Sequence, residues 1–140
     1  MIDLVPLCTA RLAIGERLDA GAGEHGHGLI AEIESATFVG ERLSGRQAGN
    51  SSADWAAITP GGILIVDVRL AIRTDDDALL MMTYAGRLRR TDGEPWVAFV
   101  SANFQTGDAR YTWLSEVQIV GKGEFTPDRR QLDYEFYEMR

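Results

Sequence analysis

Ile63-Leu64-Ile65-Val66-Asp67-Val68-Arg69-Leu70-Ala71-Ile72-Arg73-Thr74 alternates without a break. Leu64, Val66, Val68, Leu70 and Ile72 share one face of an extended chain, and Ile63, Ile65, Asp67, Arg69, Ala71 and Arg73 share the other. A period of two over this length predicts a β-strand with a buried face. At roughly 3.3 Å per residue it spans about 40 Å, longer than a sandwich edge and suited to a coiled barrel strand. Pro60-Gly61-Gly62 stops the chain before it and Asp75-Asp76-Asp77 turns it afterwards.

Working outward, the same reading predicts strands at Val5–Ile14, Leu29–Val39, Arg42–Gln47, Trp55–Ile58, Ala78–Leu88, Trp96–Phe104, Tyr111–Val120 and Gln131–Met139. Gly15–Gly28, with five glycines and both histidines, reads as a mobile loop. Thr106-Gly107-Asp108 is a turn between two strands. Tyr111 and Trp113 then leave one face of the following strand, where they floor a pocket or fill a core. No segment keeps a 3.6-residue apolar period over three turns, so long helices are not expected. The prediction is an all-β chain: one domain over residues 1–140, built as a single antiparallel barrel of eight to nine strands.

Composition narrows the function. A formal charge of −7 with only 14 scattered Lys and Arg argues against a phosphate-backbone partner, so no nucleic acid is expected. The longest apolar run, Ile63–Val66, is too short to cross a membrane as a helix. One cysteine, Cys8, permits no internal disulfide, and the N-terminus shows no signal-peptide pattern; a reducing cytoplasm is the expected location. His25 and His27 lack a carboxylate at ligand spacing, and no phosphate loop, nucleophile elbow or dinucleotide fingerprint occurs. Neither a metal nor a cofactor is expected.

Three groups of residues invite a chemical reading. Asp67 and Arg69 lie on one strand face among apolar neighbours; buried together, they orient a substrate carbonyl, enol or phenol. Turned outward, the pair is a solvated ion pair worth at most about 1 kcal/mol. Asp54 beside Trp55 is either a general base against an apolar wall or the cap of a turn. Tyr84, Tyr111 and Trp113 supply stacking surfaces and hydroxyl donors, or plain core filling.

Several motifs occur in one order along the chain: Thr37-Phe38-x-Gly40-x-x-Leu43-x-Gly45, Ala53-Asp54-Trp55, Asp67-x-Arg69, Arg73-Thr74-Asp75-Asp76, Phe104-x-Thr106-Gly107-Asp108-x-Arg110-Tyr111-x-Trp113-Leu114, Gly121-x-Gly123 and Phe136-Tyr137. In these the chain resembles the DUF3237 (UPF0311) family of small β-barrel proteins. The resemblance implies a calycin-like barrel, often a homodimer, with an internal pocket. Some members from natural-product pathways are associated with cofactor-free ring closures such as intramolecular hydroalkoxylation. Carried over, the pattern points at Asp54, Trp55, Asp67, Arg69, Arg110 and Trp113. Asn50-Ser51-Ser52 stands where members have Gly-Gly, and Asp77 where the turn has Gly. These departures surround the expected pocket mouth, so substrate identity is not carried over.

Two functions follow as expectations. The first is a cofactor-independent cyclase or isomerase for a small aromatic or enolic, polyketide-like metabolite. Asp54 or Asp67 moves the proton, Arg69 holds the oxyanion, and Trp55, Tyr84 and Trp113 form the wall, with Arg110 and Tyr111 near the substrate. The second is a non-catalytic, lipocalin-like carrier of an apolar metabolite. A dimer with a side-chain-filled lumen is a third.

Overall fold

Leu64–Thr74 forms the long strand its alternation predicts, with Leu64, Val66, Val68, Leu70, Ile72 and Thr74 buried. The computed structural model describes residues 1–140. Nine strands follow in chain order: β1 (Leu4–Gly23), β2 (Gly26–Val39), β3 (Gly45–Gln47), β4 (Ala53–Ile58), β5 (Leu64–Thr74), β6 (Leu79–Arg89), β7 (Val97–Gln105), β8 (Gln118–Phe125) and β9 (Gln131–Met139). One 3₁₀ turn, Thr112–Ser115, interrupts them. All pairings are antiparallel, and β1 pairs with both β9 and β2, so the sheet closes into a barrel without free ends. No helix is long and apolar enough to cross a membrane.

β3 and β4 occupy one place in the ring. Both lie between β2 and β5, so the barrel has eight strand positions, one of them broken by Ala48–Ser52. Across the break the register against β5 slips from Gln47↔Ile72 to Ala53↔Arg69. That is three extra residues, an odd number, which exchanges inward and outward faces. Buried Gly45 is odd-numbered; beyond the break it is even-numbered Ala56 that is buried. Ser52 fixes the break: its carbonyl accepts from the Ile33 N–H at 3.1 Å and its Oγ from the Ala71 N–H at 3.2 Å.

The lumen is filled from β6 and β9. Tyr134 and Phe136 stack at 5.0 Å, and Tyr84 meets both at 5.3 and 5.9 Å. Their room comes from β8, where Gly121 faces Phe136 and Gly123 faces Tyr134. A Cβ on either glycine would lie 2.6 Å from the facing ring. Thus Gly121-x-Gly123 is the space that two aromatic rings occupy.

One end of the barrel is sealed. Leu7, Leu43, Ala78 and Leu114 are buried there, Leu114 carried on the 3₁₀ turn. Asp76 ties that seal to the β5–β6 turn, accepting from Tyr111 Oη at 2.7 Å and Thr74 Oγ1 at 2.7 Å. The Arg110 side chain makes two hydrogen bonds to Asp108 and a third to the Asp76 carbonyl. Asp77 completes the turn at φ 71°, the left-handed conformation for which glycine is the usual residue.

Two sequence expectations are corrected. Gly15–Gly28 is not a loop but the end of the β1–β2 hairpin, paired through Gly23↔Gly26. Its glycines suit the tight turn, and β-pairing across it survives their lack of side chains. Tyr111–Val120 is not one strand: Thr112–Ser115 winds as 3₁₀ and pairing resumes only at Gln118. The Leu114 side chain must turn inward to close the barrel end, and an extended chain would not bring it there.

Gly123→Ala is expected to lower stability by about 1–3 kcal/mol through overpacking against Tyr134. In urea unfolding, the double variant with Tyr134→Leu should lose less than the sum of the two single variants. Strict additivity would show that the glycine is not making room for the ring.

Candidate functional site

At the other end of the barrel, the hairpin turns leave a cavity of about 80 Å³. At about 30 Å³ per water this holds two or three waters, and it is about half the volume of a cavity that takes a benzene ring. Fifteen of its 17 lining residues are hydrophobic, among them Leu12, Ile33, Val66, Val68 and Leu132. The two exceptions are Asp54 and Arg17.

Asp54 enters because of the break before β4. The exchange of faces sends Asp54 inward and leaves Trp55 64% exposed. One carboxylate oxygen, Oδ1, accepts the Asp67 main-chain N–H at 2.9 Å. Burial pushes the Asp54 pKa up to about 6; the Asp67 N–H pulls against this and the Asp67 charge adds to it. Tyr84 and Tyr134 line the same cavity. Burial raises both phenol pKa values, and the charge of nearby Asp54 adds to each rise. Near neutral pH the site therefore holds two protonated hydroxyls beside a carboxylate that titrates close to neutrality.

Of the eight residues the sequence proposed, the structure brings Asp54 and Tyr84 together and disperses the rest. Asp67 and Arg69 face outward and are exposed, contrary to the buried reading. Five aliphatic side chains on the opposite face of β5 each contribute about 1.5–3 kcal/mol when buried. Burying the charges in their place would cost several kcal/mol per ion. The aliphatic face therefore takes the lumen. Asp67 serves the site only through its main chain. Trp55 lies on the outer surface, opposite Ile30 of β2.

Arg110, Tyr111 and Trp113 are at the sealed end, away from the cavity. Arg110 is bound to Asp108 and Asp76, and Trp113 lies under the Arg42 guanidinium at 5.3 Å. His27 pairs with Asp19 at 2.6 Å on the exposed hairpin. Nowhere do three His, Cys, Asp or Glu side chains converge as metal ligands would.

The sequence reading missed Tyr134, Arg17, Trp96 and Phe125. For Tyr134 a signal existed. Gly121-x-Gly123, placed by the sequence reading in the connection after Val120, pairs with Tyr134-x-Phe136, and small residues facing large ones mark a packed lumen. Arg17 was hidden by a bulge: Ile14 pairs with Ile33 but Arg17 with Ala31, so β1 carries an extra residue that turns Arg17 toward the cavity.

The family model described as "Protein of unknown function (DUF3237)" matches residues 2–139, nearly the whole chain. The chain belongs to the DUF3237 family. UPF0311 protein RPA1785 of Rhodopseudomonas palustris is 29% identical over 127 residues, covering 80% of this chain and 82% of that protein. Solved structures share the barrel fold. A β-barrel-like protein from Acinetobacter baumannii matches with a TM-score of 0.91 at 24% identity, covering 100% of this chain and 97% of the other. A structure described as an enzyme from Penicillium herquei matches with a TM-score of 0.71 at 18% identity, covering 99% and 94%. At these identities the likeness establishes the fold.

The raised pKa of Asp54 gives the site a signature in stability. Unfolded, the group titrates near 3.9; folded, near 6. Its ionisation therefore opposes folding progressively as pH rises from about 4 to 6, by about 3 kcal/mol in total. Asp54→Asn should be more stable than the parent above pH about 6, while the two converge near pH about 4. Denaturant melts across that window check it; a variant less stable at neutral pH would contradict the assignment.

Proposed function

We propose that this barrel is a cofactor-independent proton-transfer enzyme, a cyclase or isomerase, acting on a small enolic or aromatic metabolite. The observation that carries the reading is one carboxylate, Asp54, desolvated among aliphatic walls and facing two protonated phenols. A base with a pKa near 6 is ionised at neutral pH yet close enough to it to exchange protons both ways. Asp54 takes a proton from a substrate O–H or from a carbon next to a carbonyl. Tyr84 and Tyr134 donate hydrogen bonds to the oxygen on which negative charge develops. In a ring closure the freed oxygen adds to an unsaturated carbon of the same molecule, and the proton on Asp54 passes to the neighbouring carbon. No atom is gained or lost.

The cavity admits only the reacting edge of a small ring, the rest staying at its mouth, and the likeness to a barrel described as an enzyme supports catalysis in this architecture. The Arg69 and Asp67 roles expected from sequence have no place in this mechanism, because both side chains face solvent.

Conversion of a single-ring β,γ-unsaturated ketone to its conjugated isomer, followed by ultraviolet absorbance, tests the reading without knowledge of the natural substrate. The parent should exceed the buffer rate, with kcat/KM rising with pH through about 6. Asp54→Asn should lose about 100- to 10,000-fold, and Asp67→Asn should stay within about twofold. Binding of the ketone without turnover would leave a carrier.

A further inference from the structure

Four segments meet at the cavity mouth: the β1 bulge and the β4–β5, β6–β7 and β8–β9 turns. Trp96 and Phe125, both cavity-lining, cross edge to face at 6.1 Å. The Arg129 guanidinium lies 3.6 Å from the Trp96 ring centre and that of Arg90 lies 5.7 Å from it. Arg90 is held by the Gly62 carbonyl at 2.9 Å. Arg17 donates through Nη2 to the Arg129 carbonyl, which places its guanidinium at the edge of the cavity. Arg129 adopts φ 58°, a left-handed conformation that is strained for a non-glycine residue. The strained turn places its guanidinium on Trp96.

Three guanidinium groups thus surround one opening, and none has a carboxylate within ion-pairing distance. Arg11, Arg42, Arg73, Arg110 and Arg140 do, whereas Arg46, Arg69, Arg87, Arg89 and Arg130 do not, so it is the shared opening that sets these three apart. Acidic residues occur in the same segments: Glu16, Asp92, Glu94 and Asp128. Asp128 is engaged within its own turn, accepting from Thr126 Oγ1 and the Arg130 N–H. On a molecule of charge −7, unpaired arginines concentrated at one mouth form a local attractor for anions. Guanidinium matches a carboxylate through two parallel hydrogen bonds.

Resting on the reading of the lumen as a small-molecule site, we propose that its ligand is a ring acid. The edge of the ring enters the aliphatic cavity toward Asp54, and a carboxylate stays at the mouth on Arg17, backed by Arg129 and Arg90 around Trp96. The arrangement selects for an anionic substituent on an apolar ring and against neutral analogues of the same shape.

Calorimetric titration with benzoate and benzamide tests this, since the two differ in charge and little in shape. Benzoate should bind about tenfold tighter or more at low salt, and about 0.5 M salt should erode that preference. Arg17→Gln, and independently Arg129→Gln, should reduce the preference while benzamide affinity stays within about twofold. Equal affinities in the parent, or a preference that survives both substitutions, would overturn the anion assignment alone. If neither compound binds, the lumen is not a ligand site and the inference falls with it.

Discussion

A closed sheet has one interior, and each strand sends only alternate side chains into it. That constraint governs this molecule more than any single contact. β5 illustrates it: with Leu64, Val66, Val68, Leu70 and Ile72 inside, Asp67 and Arg69 have no choice but to face water. Charged groups reach the cavity where the alternation is broken. The break at Ala48–Ser52 brings in Asp54, and the bulge after Ile14 brings in Arg17. These two irregularities in the ladder therefore place the two charged groups at the cavity.

This explains which parts were legible beforehand. The barrel was readable because long, strictly alternating runs leave little else to form. Asp54 and Tyr84 were recognised as candidates, but their company was not. With Arg42–Gln47 and Trp55–Ile58 read as separate strands, sequence could not show which face of the second turns inward, so Trp55 was grouped with the pocket it turns away from. The conspicuous Asp108-x-Arg110-Tyr111 motif was read toward substrate. Its hydrogen bonds instead close the barrel end, joining the 3₁₀ turn to Asp76. Residues that seal a fold and residues that act on a ligand use the same polar alphabet, and only the placement separates them.

The two ends of the barrel carry different burdens. At the sealed end Glu138, 6% exposed, is gripped by Arg42 and Arg140, and Arg140 first and Arg42 second hold its carboxyl below the usual range. Charges there are paired, and they stabilise. At the open end the one carboxylate within the cavity has no cation in ion-pairing reach, and its ionisation opposes folding. A fold that keeps such a group in its lumen carries a standing destabilisation that a Leu or Asn would remove, a pattern expected where function outweighs stability.

The account rests on the environment of one carboxyl group. Carbon-13 NMR of side-chain carboxyl resonances, with Asp54 assigned by its Asn variant, reads that environment directly. The structure predicts a midpoint for Asp54 near 6, well apart from exposed aspartates. A midpoint close to 4 would mean that Asp54 is solvated, and the lumen would then be a packed core rather than a site.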